Sequence, residues 1–205
     1  MKLWYSNTSP YVRKVRAVAA YHCLDAQIEA HLISGAAFSE QAEHNRDTPL
    51  GRIPVLQTDD GTWLYSSNVI AEYLDAQGSS HSLYPQDDKR WAVLNLHDLA
   101  AGMLDNTVDM VDEKLLRPEA EWWQSRHEQI IRRNTRTLPV LADAIKPFDT
   151  ELNIGTINAV CVIDFLRFRS ALTQADTMAG LAEPAGWADE MNARYPCLAA
   201  AQPCA

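Results

Sequence analysis

Residues 7–16, "NTSPYVRKVR", place a serine directly ahead of a proline and then a run of β-branched and basic residues. Ser9-Pro10 is a strong local helix start. Serine is a preferred N-cap, and proline suits the first helical turn, where its missing N–H would have no partner anyway. Two chemistries are open to the Ser9 hydroxyl. It can simply cap its own helix, or it can help that helix end hold an anion, since a helix N-terminus presents free N–H groups and positive potential. Ser66-Ser67 precedes another predicted helix and offers the same combination. Tyr5, Ser6 and Thr8 add further hydroxyls around the first turn.

A thiol is the group for which such a helix end matters most at neutral pH. Free thiols have a pKa near ~8.5, so only a few per cent is ionised. The helix end contributes roughly 0.3–1 kcal/mol and a hydroxyl hydrogen bond to a charged acceptor roughly 1.5–3. At about 1.4 kcal/mol per unit, the pair lowers a bound thiol's pKa by about one to three units. The hydrogen bond is the larger contribution.

The elements that must position these residues alternate strand and helix signals. Lys2–Tyr5 reads as a short buried strand. Pro10–Cys23 reads as a helix with Val12, Val15, Val18 and Ala19 inward and Arg13, Lys14 and Arg16 on a solvated side. Gln27–Leu32 alternates, with Ile28, Ala30 and Leu32 on one face. Ile53–Thr58 and Thr62–Tyr65 flank Asp59-Asp60-Gly61 as a hairpin, and Asn68–Ala76 reads as a helix. Pro54 cannot donate to a ladder, which suits a strand start or an edge. The turn after a first strand lies at the carboxyl edge of an α/β sheet, where ligands bind.

From Pro85 onward the pattern becomes helical. Leu96, Leu99, Met103, Val111 and Leu115 form a stripe that stops at Pro118, and 119–146 reads as a second long helix that Pro139 should kink or break. Ile157–Phe168 is strongly apolar and expected at the centre of a bundle, with a last helix over Trp187–Arg194. Thr156 with Ala159 forms half a capping box. Trp91, Trp122, Trp123 and Trp187 read as core more readily than as a pocket lining. The expected division is an α/β domain over 1–77, a small polar linker over 78–88 and a helical domain over 89–205.

Bulk composition excludes several classes. The 205 residues carry 18 basic and 27 acidic side chains, a net −9, and 47% are apolar. That charge disfavours nucleic acid or an anionic membrane as partner, and no apolar run is long enough to span a bilayer. Lys2 is followed by only three apolar residues, so no signal peptide is expected, and a cytoplasmic location is. Cys23, Cys161, Cys197 and Cys204 are widely spaced and read as free thiols, and the six histidines lack metal-ligand spacing, so no metal is expected.

"SPYVRKVR" and "NRDTPLGRIPVLQTDDGTWLYSSNVIAEYLD" resemble the glutathione S-transferases, particularly bacterial serine- and cysteine-type members. The likeness is close over the N-terminal part and loose over the helical half. It implies a thioredoxin-like N-terminal domain with a mixed four-stranded sheet, an all-α C-terminal helical bundle, glutathione as cofactor, a small electrophile as co-substrate and a homodimer. Candidate dimer contacts are the loop before Pro49 and the first long C-terminal helices. By this resemblance Ser9 is the catalytic group that stabilises the thiolate, with Tyr5 the more acidic alternative. A cis Pro54, preceded by Ile53, exposes the Val55 backbone to the cysteinyl part of glutathione, and Ser67 binds the γ-glutamyl carboxylate. Ser66 stands where the family usually has Glu, Gln or Asp, so recognition of the γ-glutamyl ammonium departs from the pattern. The activity implied is transfer of alkyl or aryl groups in detoxification. The rival readings are a non-catalytic glutathione-binding or protein-interaction module, and a glutathione-dependent thiol or peroxide reductase, which would want cysteine at position 9.

Overall fold

The computed structural model describes residues 1–33 and 43–203, arranged as two compact units. One comprises Met1–Leu83 with the segment from Cys197 onward, and the other Tyr84–Pro196. Cys204 and residues 34–42 of the loop before Pro49 lie outside the described residues.

The first unit is an α/β sandwich on a mixed four-stranded sheet, as expected. Strands β1 (Lys2–Tyr5), β2 (Glu29–Leu32), β3 (Val55–Gln57) and β4 (Trp63–Tyr65) lie in the order β2-β1-β3-β4. β1 pairs parallel to β2, with Leu3 opposite Ala30, and antiparallel to β3, with Leu3 opposite Leu56. The β3–β4 hairpin turns at Gly61, whose φ of 87° few side chains tolerate, and the Asp60 carboxylate accepts from the Thr58 hydroxyl and Thr62 N–H. Helices α1 (Pro10–Tyr21) and α2 (Ser67–Gln77) pack together, burying Val12, Val15, Val18, Ile70 and Leu74.

Side chains on alternate sides of β1 serve different layers. Trp4 donates its Nε1–H to Asp47 Oδ2 at 2.7 Å and Lys2 Nζ donates to the same oxygen at 3.1 Å. Burial pushes the Asp47 carboxyl up, but these two bonds outweigh it and hold it below the ordinary carboxylate range. They fasten 43–48, the segment leading toward Pro54, onto the sheet. The β2 face is not buried as its alternation suggests: Ala30 is exposed and Leu32 is 52% exposed. β2 is an edge strand, so its side chains have a neighbouring strand on one flank only and are less covered.

A second pair of links ties the far ends of α1 and α2. His22 Nε2 and Asp75 Oδ1 lie 2.9 Å apart in the core, and Asp75 also accepts from Ser82 Oγ and Leu83 N–H. Gly78 sits directly over the imidazole. A Cβ built there would lie 2.0 Å from His22 Nδ1.

The second unit is helical. It contains α3 (Arg90–Leu116), α4 (Gln124–Ile145), α5 (Ile154–Phe168), the short α6 (Ser170–Thr173) and α7 (Ala182–Arg194); of α8 (Pro196–Ala199), the residues from Cys197 onward belong to the first unit. α5 is buried from Ile154 through Leu166, as its apolar run predicts. α3 approaches it closely at Gly155, where a Cβ would lie 2.6 Å from the Val93 carbonyl oxygen. Buried amides stitch the bundle: Asn158 Nδ2 donates to His97 O, Asn134 Nδ2 to Thr107 Oγ1 and Asn192 Nδ2 to Asp164 Oδ2. None of the helices among the described residues is long and apolar enough to cross a membrane.

Several expectations are corrected here. α4 starts at Gln124 and is not broken at Pro139: helix continues to Ile145, with Leu138 and Leu141 buried on either side of the proline. Trp91 is 76% and Trp123 64% exposed, and Trp122 and Trp187 are half-buried, so these four tryptophans do not form the core. α5 carries a complete capping box three residues upstream of the one sought at Thr156. Asn153 Oδ1 accepts from Thr156 N–H and Thr156 Oγ1 accepts from Asn153 N–H, both at 2.9 Å. Asn153→Ala is expected to lower the unfolding free energy by about 1–2 kcal/mol, read from the urea midpoint.

Candidate functional site

Ser9 occupies the N-cap of α1 with an extended backbone, φ −75° and ψ 122°, and its Oγ accepts from Val12 N–H at 3.3 Å. Its carbonyl accepts the next helical bond, from Arg13 N–H at 3.0 Å. A serine that caps in this way uses one lone pair and keeps its own proton to donate. Of the other hydroxyls, Tyr5 ends β1, half-buried, with the Arg16 guanidinium 5.6 Å from its ring centroid. Ser6 and Thr8 are half-buried in the turn, on no helix cap.

Pro54 follows a cis peptide bond from Ile53, and Val55 opens β3 with Trp4 opposite it on β1 and Tyr65 on β4. β1 runs directly into the Ser9 turn, so Ile53, Pro54 and Val55 start the strand next to the one that delivers Ser9.

At the second helix start, Ser66 is the N-cap and its Oγ accepts from Asn68 N–H at 3.3 Å. Its backbone takes φ 75° and ψ 130°, which non-glycine residues seldom adopt and which costs on the order of 1–3 kcal/mol. Ser67, the first helical residue, is 6% exposed. The first turns of α1 and α2 both lack an acidic side chain.

The main feature missed from sequence joins these two starts. Arg13 and Lys14, expected on a solvated face, are 3% and 1% exposed. Lys14 reaches from α1 to α2 and donates from Nζ to Asn68 Oδ1 at 2.5 Å. No local sequence signal marks this burial, because the acceptor of the Lys14 ammonium lies 54 positions away. The unit thus holds two helix N-termini, each capped by a serine, with a buried ammonium group fixing one to the other. Such an arrangement can accept anions at both starts.

The family model for the glutathione S-transferase N-terminal domain matches residues 8–77. An uncharacterised GST-like protein of Escherichia coli K12, YibF, is 32% identical over 176 residues, 82% of this chain and 83% of that protein. The chain belongs to the glutathione S-transferase family. A family member from Pseudomonas fluorescens Pf-5, crystallised with bound glutathione, superposes with a TM-score of 0.90 at 30% identity, covering 100% of this chain and 99% of that one. A glutathione S-transferase from Methylobacillus flagellatus KT with glutathione bound gives 0.80 at 30% identity, covering 99% of each chain.

In this member the helical unit carries a carboxyl that titrates near neutrality. Asp112 on α3 is half-buried, and burial together with the Asp109 charge pushes it up to about 6, against the pull of Arg169 at the end of α5. Arg169 lies with its guanidinium 4.6 Å from the Phe168 ring centroid. Because the folded-state value lies above that of the unfolded chain, the folded chain retains a proton that the unfolded chain gives up between about pH 4 and 6. Stability therefore falls as pH rises through that window, and the cost persists above it. Asp112→Asn is expected to stabilise the protein at pH 7.5 by about 1 kcal/mol, after allowance for the solvent that still reaches the group, and to have no effect below pH 4, as measured by urea unfolding at both values.

Proposed function

We propose that this protein is a glutathione transferase that activates the glutathione thiol through Ser9 for attack on a small electrophile. The observation that carries the reading is the Ser9 hydroxyl at the α1 N-cap, accepting from Val12 N–H and retaining a proton for a sulfur anion. Its support is the family membership of the chain and the glutathione bound by relatives at 30% identity. In this reading 1–77 is the glutathione-binding domain, 78–88 a linker and 89–205 the helical domain. Val55 pairs its backbone with the cysteinyl residue beside Ile53 and Pro54, and Ser67, with Ser66 beside it, receives the γ-glutamyl carboxylate.

The chemical step needs no covalent bond to the protein. Ser9 donates a hydrogen bond to the sulfur, the α1 N-terminus adds positive potential, and the thiol proton leaves to solvent. The thiolate then displaces a leaving group from, or adds to, a carbon of the electrophile. A homodimer working in the cytoplasm on foreign or reactive alkyl and aryl compounds completes the proposal.

Immobilised glutathione retention is the first test, followed by thiolate absorbance titration of the bound tripeptide. The expected result is an apparent pKa about one to three units below that of the free thiol, and a rise of about one to two units in Ser9→Ala. The same variant should lose roughly 10- to 100-fold in kcat/KM at pH 6.5. Retention without conjugation, together with a titration unmoved by Ser9→Ala, would establish a binding module instead. Turnover of a disulfide or peroxide in place of electrophile conjugation would establish the reductase.

A further inference from the structure

Trp4 is engaged with both ends of one loop. Along β1 its backbone lies opposite Val55, the first residue of β3. Its indole Nε1–H donates to Asp47 Oδ2 at 2.7 Å, the oxygen that also accepts from Lys2 Nζ at 3.1 Å. Asp47 and Val55 bound the segment that carries Ile53 and Pro54. Within it, Thr48 and Pro54 are buried, 49–52 is exposed, and Gly51 N–H donates back to Thr48 O at 3.1 Å. With its middle exposed, the segment takes its path across the sheet from its two ends.

The indole is itself held in place. Trp4 is 4% exposed, and the rings of His31 and His44 pack beside it at 5.1 and 6.4 Å between centroids. The Lys2 ammonium lies 4.6 Å from the Trp4 ring centroid and 5.8 Å from that of Trp63, so β4 also helps place the cation facing Asp47. A bond from a neutral donor to a carboxylate is stronger than one between neutral groups. Removing the carboxylate also strands a buried N–H, which adds to the cost of release.

We propose that Trp4 and Asp47 are positioning residues for glutathione: their bond holds 48–54 in the path that presents the 53–55 backbone to the cysteinyl residue. This rests on the proposed glutathione site. The pair touches neither the ligand nor its sulfur. It acts on affinity through the loop, and Ser9 alone acts on the ionisation of the thiol. A loop freed at Asp47 has to be ordered by the ligand, and that ordering is subtracted from binding.

Three substitutions separate the parts. Asp47→Ala removes the acceptor, Asp47→Asn keeps an amide oxygen for the indole, and Trp4→Phe keeps a ring without the donor. Calorimetry with glutathione should show Kd raised about tenfold in Asp47→Ala and within about threefold of the unaltered protein in Asp47→Asn. The apparent thiol pKa of the bound tripeptide should stay within about 0.3 units in both. In the Trp4→Phe background, adding Asp47→Ala should change Kd by less than about threefold, since the bond is already gone. A second readout needs no ligand. Tryptic cleavage after the exposed Arg52 should quicken about tenfold in Asp47→Ala, with cleavage after Lys89 in the other unit unchanged. A Kd for Asp47→Ala within about twofold of the unaltered value overturns the inference, however fast the loop is cut. Equal losses in Asp47→Ala and Asp47→Asn overturn it too, because the carboxylate charge and not the indole bond is then at work. If the unaltered protein fails to bind glutathione, the transferase reading falls by itself, and the Arg52 cleavage rates alone uphold or overturn the clamp.

Discussion

A site built from two helix starts exists only while those starts keep a fixed separation, and here that separation is set by the docking of α1 on α2. Apolar burial of Val15, Val18, Ile70 and Leu74 supplies the attraction, but it is non-directional. Two polar links supply the direction. Lys14 to Asn68 pins the ends near the serine caps, and His22 to Asp75 pins the opposite ends. Asp75 then reaches on to Ser82 and Leu83, so the chain leaving α2 is held by the same carboxylate. The close approach of Gly78 to His22 limits that corner to a residue without a side chain. A buried ion or amide left without its partner is costly, so each link is intolerant of sliding by even one hydrogen-bond length.

The helical unit solves a different problem. Its central helix is buried along nearly its whole length, so its polar groups have to be satisfied from within the bundle. Asn158, Asn134 and Asn192 each donate to a neighbouring helix, and these bonds fix helix register where apolar side chains alone would permit slippage. Asp112 is less well compensated. It is a partly buried carboxyl placed beside another acid, and the arginine opposite only partly offsets that.

Much of this was legible in the amino-acid sequence. Ser9-Pro10, the Ile53-Pro54-Val55 run, the Asp59-Asp60-Gly61 turn and Ser66-Ser67 each carry a local steric or hydrogen-bonding preference that tertiary structure had no reason to override. The apolar run over Ile157–Phe168 is nearly unbroken, so its central place followed from hydrophobicity alone. What escaped depended on partners distant in the chain. Lys14 looks like a surface residue until Asn68, 54 positions away, gives its ammonium an acceptor. Trp91 and Trp123 read as core because their size suits burial, yet α3 and α4 turn those positions to solvent. Asn153 escaped because a threonine can close a capping box as well as the expected acid. Pro139 does not end its helix, whose buried Leu138 and Leu141 hold the turn around it in the bundle.

Among the described residues, α1, α2 and α5 have side-chain caps, and these differ in how completely they are engaged. At α5, Asn153 Oδ1 and Thr156 Oγ1 answer each other's backbone at 2.9 Å, and the helix start is sealed inside the bundle. At α1 and α2 the serine oxygens stand 3.3 Å from the N–H groups they accept from, just beyond the usual range, with hydroxyl protons still to give. An anion arriving at either start thus meets preorganised donors and breaks no existing bond to use them. Donors held in place in this way lower the reorganisation part of the cost of binding an anion.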